Sequence, residues 1–378
     1  MKKSLLSLLL VFAAARLHAA RHISFETEAF NQVGIARGTT NAVFSPLSFE
    51  IDCTLVAVSL ETLPKAKVAE KMDIVIGFEN VYKPILEALA EPTNGLDFIA
   101  TRGFCVPELA KSRVDVRFDL ERDFGAEVMR YYPKDGAECW FRASMEGTME
   151  DFAIDPAKSR RANYALYDLV ACFAEWAEPF PTNNTRRLPF RSDPSAEPVM
   201  LEFMSDVRPA DTWVNEDYTL MRLPLKGDAW LYAMLPNEDR DLTPVRADFT
   251  SAGIDRLLAM PKLPSDPSVS HDPCVIVFPR LELRDRTDFT KMLTDRDIPL
   301  SGLRIVPEGV AVAECVQETR FRLAEHSRGE PALAEKPADA VVAATPGMRK
   351  LVFNRPFAYL VYHEKTATVL IAGQFFGR

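Results

Sequence analysis

Residues 325–350, EHSRGEPALAEKPADAVVAATPGMRK, carry neither a helical nor a strand period, yet they lie between two segments that both demand a core. Ahead of them, residues 316–323 hold apolar Val316, Phe321 and Leu323. Behind them, 351–361 and 368–376 are rich in β-branched and aromatic residues, the composition of buried strands. A structureless connection of about 25 residues is far longer than the usual loop of about 4–6, and such a length marks either a functional loop or a solvated insert. Pro331, Pro337, Pro346, Gly329, Gly347 and the alanines suit a solvated linker equally well, so composition leaves both open.

At the chain start, Lys2 and Lys3 precede an apolar run from Leu5 to Ala15 and small residues ending at Ala19 and Ala20, the three-part layout of an export signal. At about 11 residues the run is shorter than the roughly 20 needed to span a bilayer. The alternative is a buried N-terminal helix. The export reading predicts a signal peptide over 1–20, one domain over 21–378, and secretion to a periplasm or the medium. Removing Lys2, Lys3 and Arg16 takes the net charge from −9 to about −12, which argues against nucleic acid as a partner. Since no second apolar run reaches membrane length, the mature chain is expected to work off the membrane, as a monomer.

Six cysteines, at 53, 105, 139, 172, 274 and 315, form no C-x-x-C or Cys/His metal spacing, so no metal is expected. Apolar neighbours around Cys53, Cys105, Cys172 and Cys274 read as buried free thiols, with disulfide pairing left open. After export the histidines are His22, His271, His326 and His363, none in H-E-x-x-H spacing; there is no G-x-S-x-G elbow or Walker loop. The chain is therefore expected to be no enzyme and to carry no cofactor. His363, on a strand turn, and His326, in the loop, read as solvated. Asn183-Asn184-Thr185 is a glycosylation sequon, meaningful only in a host that glycosylates there.

Residues 25–33 read as a short helix, and a second helix starts near Leu47, with Ser45 able to cap it and Pro46 in its first turn. The stretch 66–89 reads as helical with a break at Pro84, and 97–106 as a strand. Residues 165–180, ALYDLVACFAEWAEPF, read as one long strand leaving at Pro179 and Phe180; 197–207 and 218–236 follow as strands with hairpin breaks.

The C-terminal run LVFNRPFAYLVYHEKTATVLIAGQFFGR resembles the closing signature of the serpins. Phe353, Asn354, Arg355, Pro356 and Phe357 carry the match, continued by Tyr359, Leu360, Val361, the Lys365-Thr366 turn and 370–373; Ala358 departs from it, where a larger apolar residue is usual. Further resemblances follow in order along the chain. They are Asn41, Phe44, Ser45, Pro46 and Ser48 at the entry to a second helix, Trp140 with Gly147 in a helix crossing the central sheet, IVFPRLEL at 276–283 as a strand, 288–293 as the next helix, and the Ser301–Leu303 turn. The resemblance implies an α+β fold of about eight or nine helices around three β-sheets, with residues 325–350 as an exposed reactive-centre loop. In that family a serine-type endopeptidase cuts the loop, which then inserts into the central sheet and traps the enzyme.

By the same resemblance, Asn41, Ser45, Ser48, Asp168, Trp176 and Gln317 belong to the region where the sheet opens. Asp168 stands where asparagine is usual and Gln317 where a histidine is expected. A buried aspartate there needs paired donors or a raised pKa. Glu325, Arg328, Gly329, Glu330 and Pro331 form the hinge, and the scissile bond falls at Val341–Val342, or at Ala343–Ala344 if Gly329 sets the count. Insertion would turn Arg328, Glu330 and Lys336 beneath a sheet, at several kcal/mol per unpaired ion. Pro331 and Pro337 would each delete a ladder donor. Rapid insertion is therefore expected to fail, leaving a substrate for an elastase-like protease; the alternatives are a working inhibitor of such a protease and a binding or carrier protein.

Overall fold

The computed structural model describes residues 29, 31–60, 67–68, 70, 82–91, 95–107, 114–130, 136–154, 164–193, 195, 197–262, 266–326 and 347–377. Among these residues, sixteen strands in three sheets are surrounded by the eight α-helices named next, and residues 67, 68 and 70 are helical as well. The helices are α1 (31–37), α2 (Pro46–Val58), α3 (Tyr82–Ala90), α4 (Val114–Phe124), α5 (Gly136–Ser144), α6 (Thr243–Ala247), α7 (Ser251–Ala259) and α8 (Thr290–Asp295). No described helix is long and apolar enough to cross a membrane.

The central sheet has five strands in the order β12 (Leu281–Asp288), β13 (Val312–Ala324), β4 (Tyr164–Glu175), β2 (Leu96–Val106), β3 (Ala126–Arg130). Its middle strand, β4, is covered on both faces, which is why its sequence is almost continuously apolar instead of alternating. Even-numbered Leu166, Val170, Cys172 and Ala174 enter the main core. Odd-numbered Tyr167, Leu169, Ala171 and Phe173 face a smaller front core that α5 and the turns after it close with Phe141, Met145, Met149 and Phe152. Under the main-core face lies α2, buried nearly all round. Ser45 caps it in an extended conformation (φ −103°), accepting from the Ser48 N–H at 3.3 Å, with Pro46 in the first turn.

A seven-stranded sheet runs β1 (Ala42–Phe44), β16 (Thr368–Phe375), β15 (Phe357–His363), β9 (Ala229–Pro236), β8 (Tyr218–Pro224), β7 (Asp211–Val214), β10 (Val269–Ser270). A four-stranded sheet runs β14 (Lys350–Val352), β11 (Pro273–Pro279), β6 (Val199–Pro209), β5 (Arg186–Phe190). The chain thus leaves the central sheet at Ala324 and rejoins the four-stranded one at Lys350, parallel to β11. The aromatic C-terminal run locks these layers together. Phe278 meets Phe353 and Phe357 at centroid distances of 4.9 and 5.3 Å, and Tyr359 stacks on Phe321 at 5.5 Å.

Four local expectations are corrected. IVFPRLEL is two strands in different sheets, because Pro279 withholds a donor and the chain turns at Arg280 from buried β11 into alternating edge strand β12. Pro84 sits in the first turn of α3, where its missing N–H is not needed, so it opens a helix. The first helix continues past Val33 to residue 37. His363 is buried, its Nδ1 2.7 Å from Thr366 Oγ1, because the turn after β15 folds back over it. All six cysteines are free, and all but Cys139 are buried; burial pushes the Cys105, Cys172 and Cys315 thiols well up and makes them poor nucleophiles.

Candidate functional site

Three strands of the central sheet place polar side chains in one row. Arg102 of β2 stands opposite Asp168 of β4, and Asp168 opposite Gln317 of β13. Side chains alternate across a strand, so the parity that sends Phe104 and Val170 into the main core sends these three beneath the sheet as well. There they meet the start of α2. Gln317 Oε1 accepts from the Ser45 N–H at 2.7 Å, while its Nε2 donates to Ser45 O at 3.2 Å and to Asp168 Oδ2 at 2.9 Å. Ser48 Oγ donates to Asp168 Oδ1 at 2.9 Å. Arg102 donates to Ser48 Oγ at 2.7 Å and to Phe124 O at 2.9 Å. Asp168, fully buried, thus has donors on both oxygens.

Two carboxylates share the one guanidinium, since Arg102 lies 3.6 Å from Asp168 and 3.3 Å from Asp52. Burial first, then the charge of Asp168, holds the Asp52 carboxyl well above the ordinary range, against the pull of Arg102. Sequence reasoning missed Arg102 and Asp52. A signal was present, because an arginine in DFIATRGFCV shares the parity of Phe98 and Phe104. Asn41 does not join this cluster: its Oδ1 accepts from the Phe376 N–H at 2.7 Å and ties down the end of the chain beyond β16.

A second buried group closes the sheet where the chain leaves β13. Glu325, fully buried, takes both prongs of Arg280, at 2.7 Å from Nε and 2.8 Å from Nη2, together with the Thr185 hydroxyl; Arg280 also reaches Glu202. Burial alone would raise the Glu325 carboxyl, but the hydrogen bonds from Arg280 and Thr185 outweigh it and hold the group below its usual value. Trp176 lies buried beside this pair, edge-on to Phe180 and Phe278 at 5.0 and 5.7 Å, and bridges to Leu225 at the end of β4. Arg280 was also missed, since 276–283 read as one strand hides the corner that aims it. Of the other hinge residues, Arg328, Gly329, Glu330 and Pro331 lie outside the described residues, as do Val341, Val342, Ala343 and Ala344.

Between these two groups β13 and β4 pair from Val312 opposite Tyr164 to Ala324 opposite Glu175, with one irregularity between Val312 and Glu314. On the front face, the turns after α5 are fastened across β12 and β13. Arg284 joins Asp151 to Glu318, Arg286 donates to Glu318 at 3.3 Å and Ala153 O at 3.1 Å, and Arg320 donates to Thr148 O at 2.8 Å. Tyr167 of β4 donates to Glu314 of β13 at 3.0 Å. Parting β4 from β13 therefore requires breaking a backbone ladder, the Gln317–Asp168 bond below it and the Tyr167–Glu314 bond above it. Among the described residues no group of three or more His, Cys, Asp or Glu is placed to hold a metal.

The sequence model of the serpin (serine protease inhibitor) family matches residues 20–377. Plasminogen activator inhibitor 1 of Bos taurus is 22% identical over 376 residues, covering 93% of this chain and 90% of that one. Alpha-1-antiproteinase 2 of Equus caballus is 22% identical, covering 93% and 84%. Among solved structures, human thyroxine-binding globulin superposes with a TM-score of 0.81 at 14% identity, covering 96% of this chain and 99% of that one. Native protease nexin-1 with heparin gives 0.81 at 16% identity, covering 96% and 100%.

Proposed function

Since this chain belongs to the serpin family, we propose that it offers residues 325–350 as a bait to a serine-type endopeptidase and is cut there without efficiently trapping the enzyme. One observation carries this reading: β4 and β13 are paired along their whole length, so a loop strand can enter only by replacing that ladder with its own. The segment that would enter is poorly made for it. Arg328, Glu330 and Lys336 bring ions beneath the sheet at several kcal/mol each, and Pro331 and Pro337 lack the N–H groups that an interior strand supplies. Small aliphatic residues at Val341–Val342, or at Ala343–Ala344, suit an elastase-like protease. Residues 1–20 serve as an export signal, so the working protein is a secreted monomer; N-terminal mass analysis of the exported chain tests this directly.

A second reading, covalent trapping, is favoured by the names of relatives such as plasminogen activator inhibitor 1 and by the anchoring of Glu325, which fixes the point from which insertion would start. Incubation with pancreatic elastase separates the two. The substrate reading expects two fragments in denaturing gels, and a nicked protein whose melting temperature stays within a few degrees of the intact one. A band stable in SDS at the summed mass, or a large rise in melting temperature after nicking, would overturn it in favour of trapping.

A further inference from the structure

Strand β2 is longer than its outer neighbour. β3 pairs with it only from Arg102 to Val106, because α4 ends at Phe124 and Gly125 turns the chain in a left-handed conformation (φ +62°) before β3 can begin. Residues 96–101 therefore have β4 on one side and no described strand on the other. Along this stretch lies a groove of about 570 Å³, walled opposite the strand by Leu86 and Leu89 of α3 and closed at one end by Phe124. Neighbouring residues Phe98, Ile99 and Ala100 all line it. Both side-chain parities are represented, so the groove runs along the edge of the strand and not over one face.

The backbone there is directed outward. The Glu175 N–H donates to Gly95 O at 2.7 Å, which makes residues 95 and 175 a hydrogen-bonded antiparallel pair. In such a ladder the N–H and C=O of one residue point the same way and the next residue's point the other way. Residues 97, 99 and 101 thus bond to β4, while Phe98 and Ala100 aim their N–H and C=O into the groove. Glu87, Glu91 and Glu146 place carboxylates at its margin. The cation that reaches it, Arg102, is 1% exposed and bonded to Ser48 and Phe124, with Asp52 and Asp168 beside it. Lys365 lies 3.9 Å from Glu91.

The geometry points to a docking site for an extended basic segment of another polypeptide, which adds a short strand to β2 between α3 and the start of β3. Main-chain bonds to Phe98 and Ala100 set its register. Its side chains then alternate: those on the side of Phe98 and Ala100 meet the apolar Leu86 and Leu89 wall, and those on the other side meet Glu146. The occupant favoured is a stretch of about five residues in which lysine or arginine alternates with an aliphatic residue.

The probes are labelled pentapeptides followed by fluorescence anisotropy: acetyl-Lys-Val-Lys-Val-Lys-amide, the same peptide with both valines replaced by proline, and acetyl-Glu-Val-Glu-Val-Glu-amide. Binding is expected only for the first, weakening as salt rises, with amide-exchange protection appearing at Phe98 and Ala100. Ala100→Pro removes a donor that faces the groove and no bond to β4, so it should keep the melting temperature while weakening binding at least tenfold. Glu87→Lys should weaken it about threefold to fivefold. Equal binding of the proline or glutamate peptide, protection elsewhere on the chain, or no binding of the first peptide would overturn the assignment. If Ala100→Pro fails to fold, the comparison of the three peptides on the unaltered protein decides.

Discussion

Truncation of Glu325 tests how far the closed sheet depends on its upper clasp. The Glu325→Ala chain would leave Arg280, itself mostly buried, without the carboxylate that fills two of its prongs and with only the more exposed Glu202. Breaking a buried pair by removing one partner costs about 3–5 kcal/mol. With an unfolding entropy near 2.1 cal/mol/K per residue, a chain of 378 residues should melt about 4–6 °C lower. Differential scanning calorimetry at pH 7 reads this directly. Arg280→Ala and the double variant complete a cycle in which the two losses should overlap by about 0.5–3 kcal/mol. The clasp should also weaken in acid. A carboxyl held below its unfolded value stabilises the fold above about pH 4.3, and that contribution is lost as pH falls through the folded value. A melting temperature within about 1 °C of wild type for Glu325→Ala, or strictly additive single and double variants, would refute the assignment of Arg280 and Glu325 to one buried unit.

Two further titrations run in opposite directions. Asp52 is held above its ordinary value, chiefly by burial, so its contribution is fully present below about pH 3.9 and is lost as pH rises towards the folded value; urea midpoints between pH 5 and 9 should fall less for Asp52→Asn than for wild type. His363 is held below its ordinary value, again first by burial, so stability is present above about pH 6.5 and lost as pH falls through the folded value. A urea midpoint that declines between pH 7 and 5 in wild type, and declines less in His363→Asn, checks this.

What the sequence by itself determined is what a window of neighbours encodes. The two-faced burial of β4 follows from ALYDLVACFAEW, the start of α2 from Ser45 and Pro46, and the closing hairpin of β15 and β16 from its aromatic and β-branched run. The ordered set of short resemblances along the chain carried the fold class, and placed Ser45, Ser48, Asp168 and Gln317 in one region. Tertiary structure alone decided which of the named residues meet. Gln317 and Asp168 are 149 residues apart and Arg280 and Glu325 45, so their contact depends on strand register and on the corner after Pro279, neither of which is written in a local period. The same holds for Arg102, whose charge became intelligible only once Asp52 and Asp168 were brought beneath it. Asn41 shows the converse, since a motif match put it with the serines while pairing of β1 with β16 carried its side chain to Phe376. Periodicity reports which side of an element is dry; register, a property of two distant segments at once, settles which dry sides face each other and so which buried charges are neutralised.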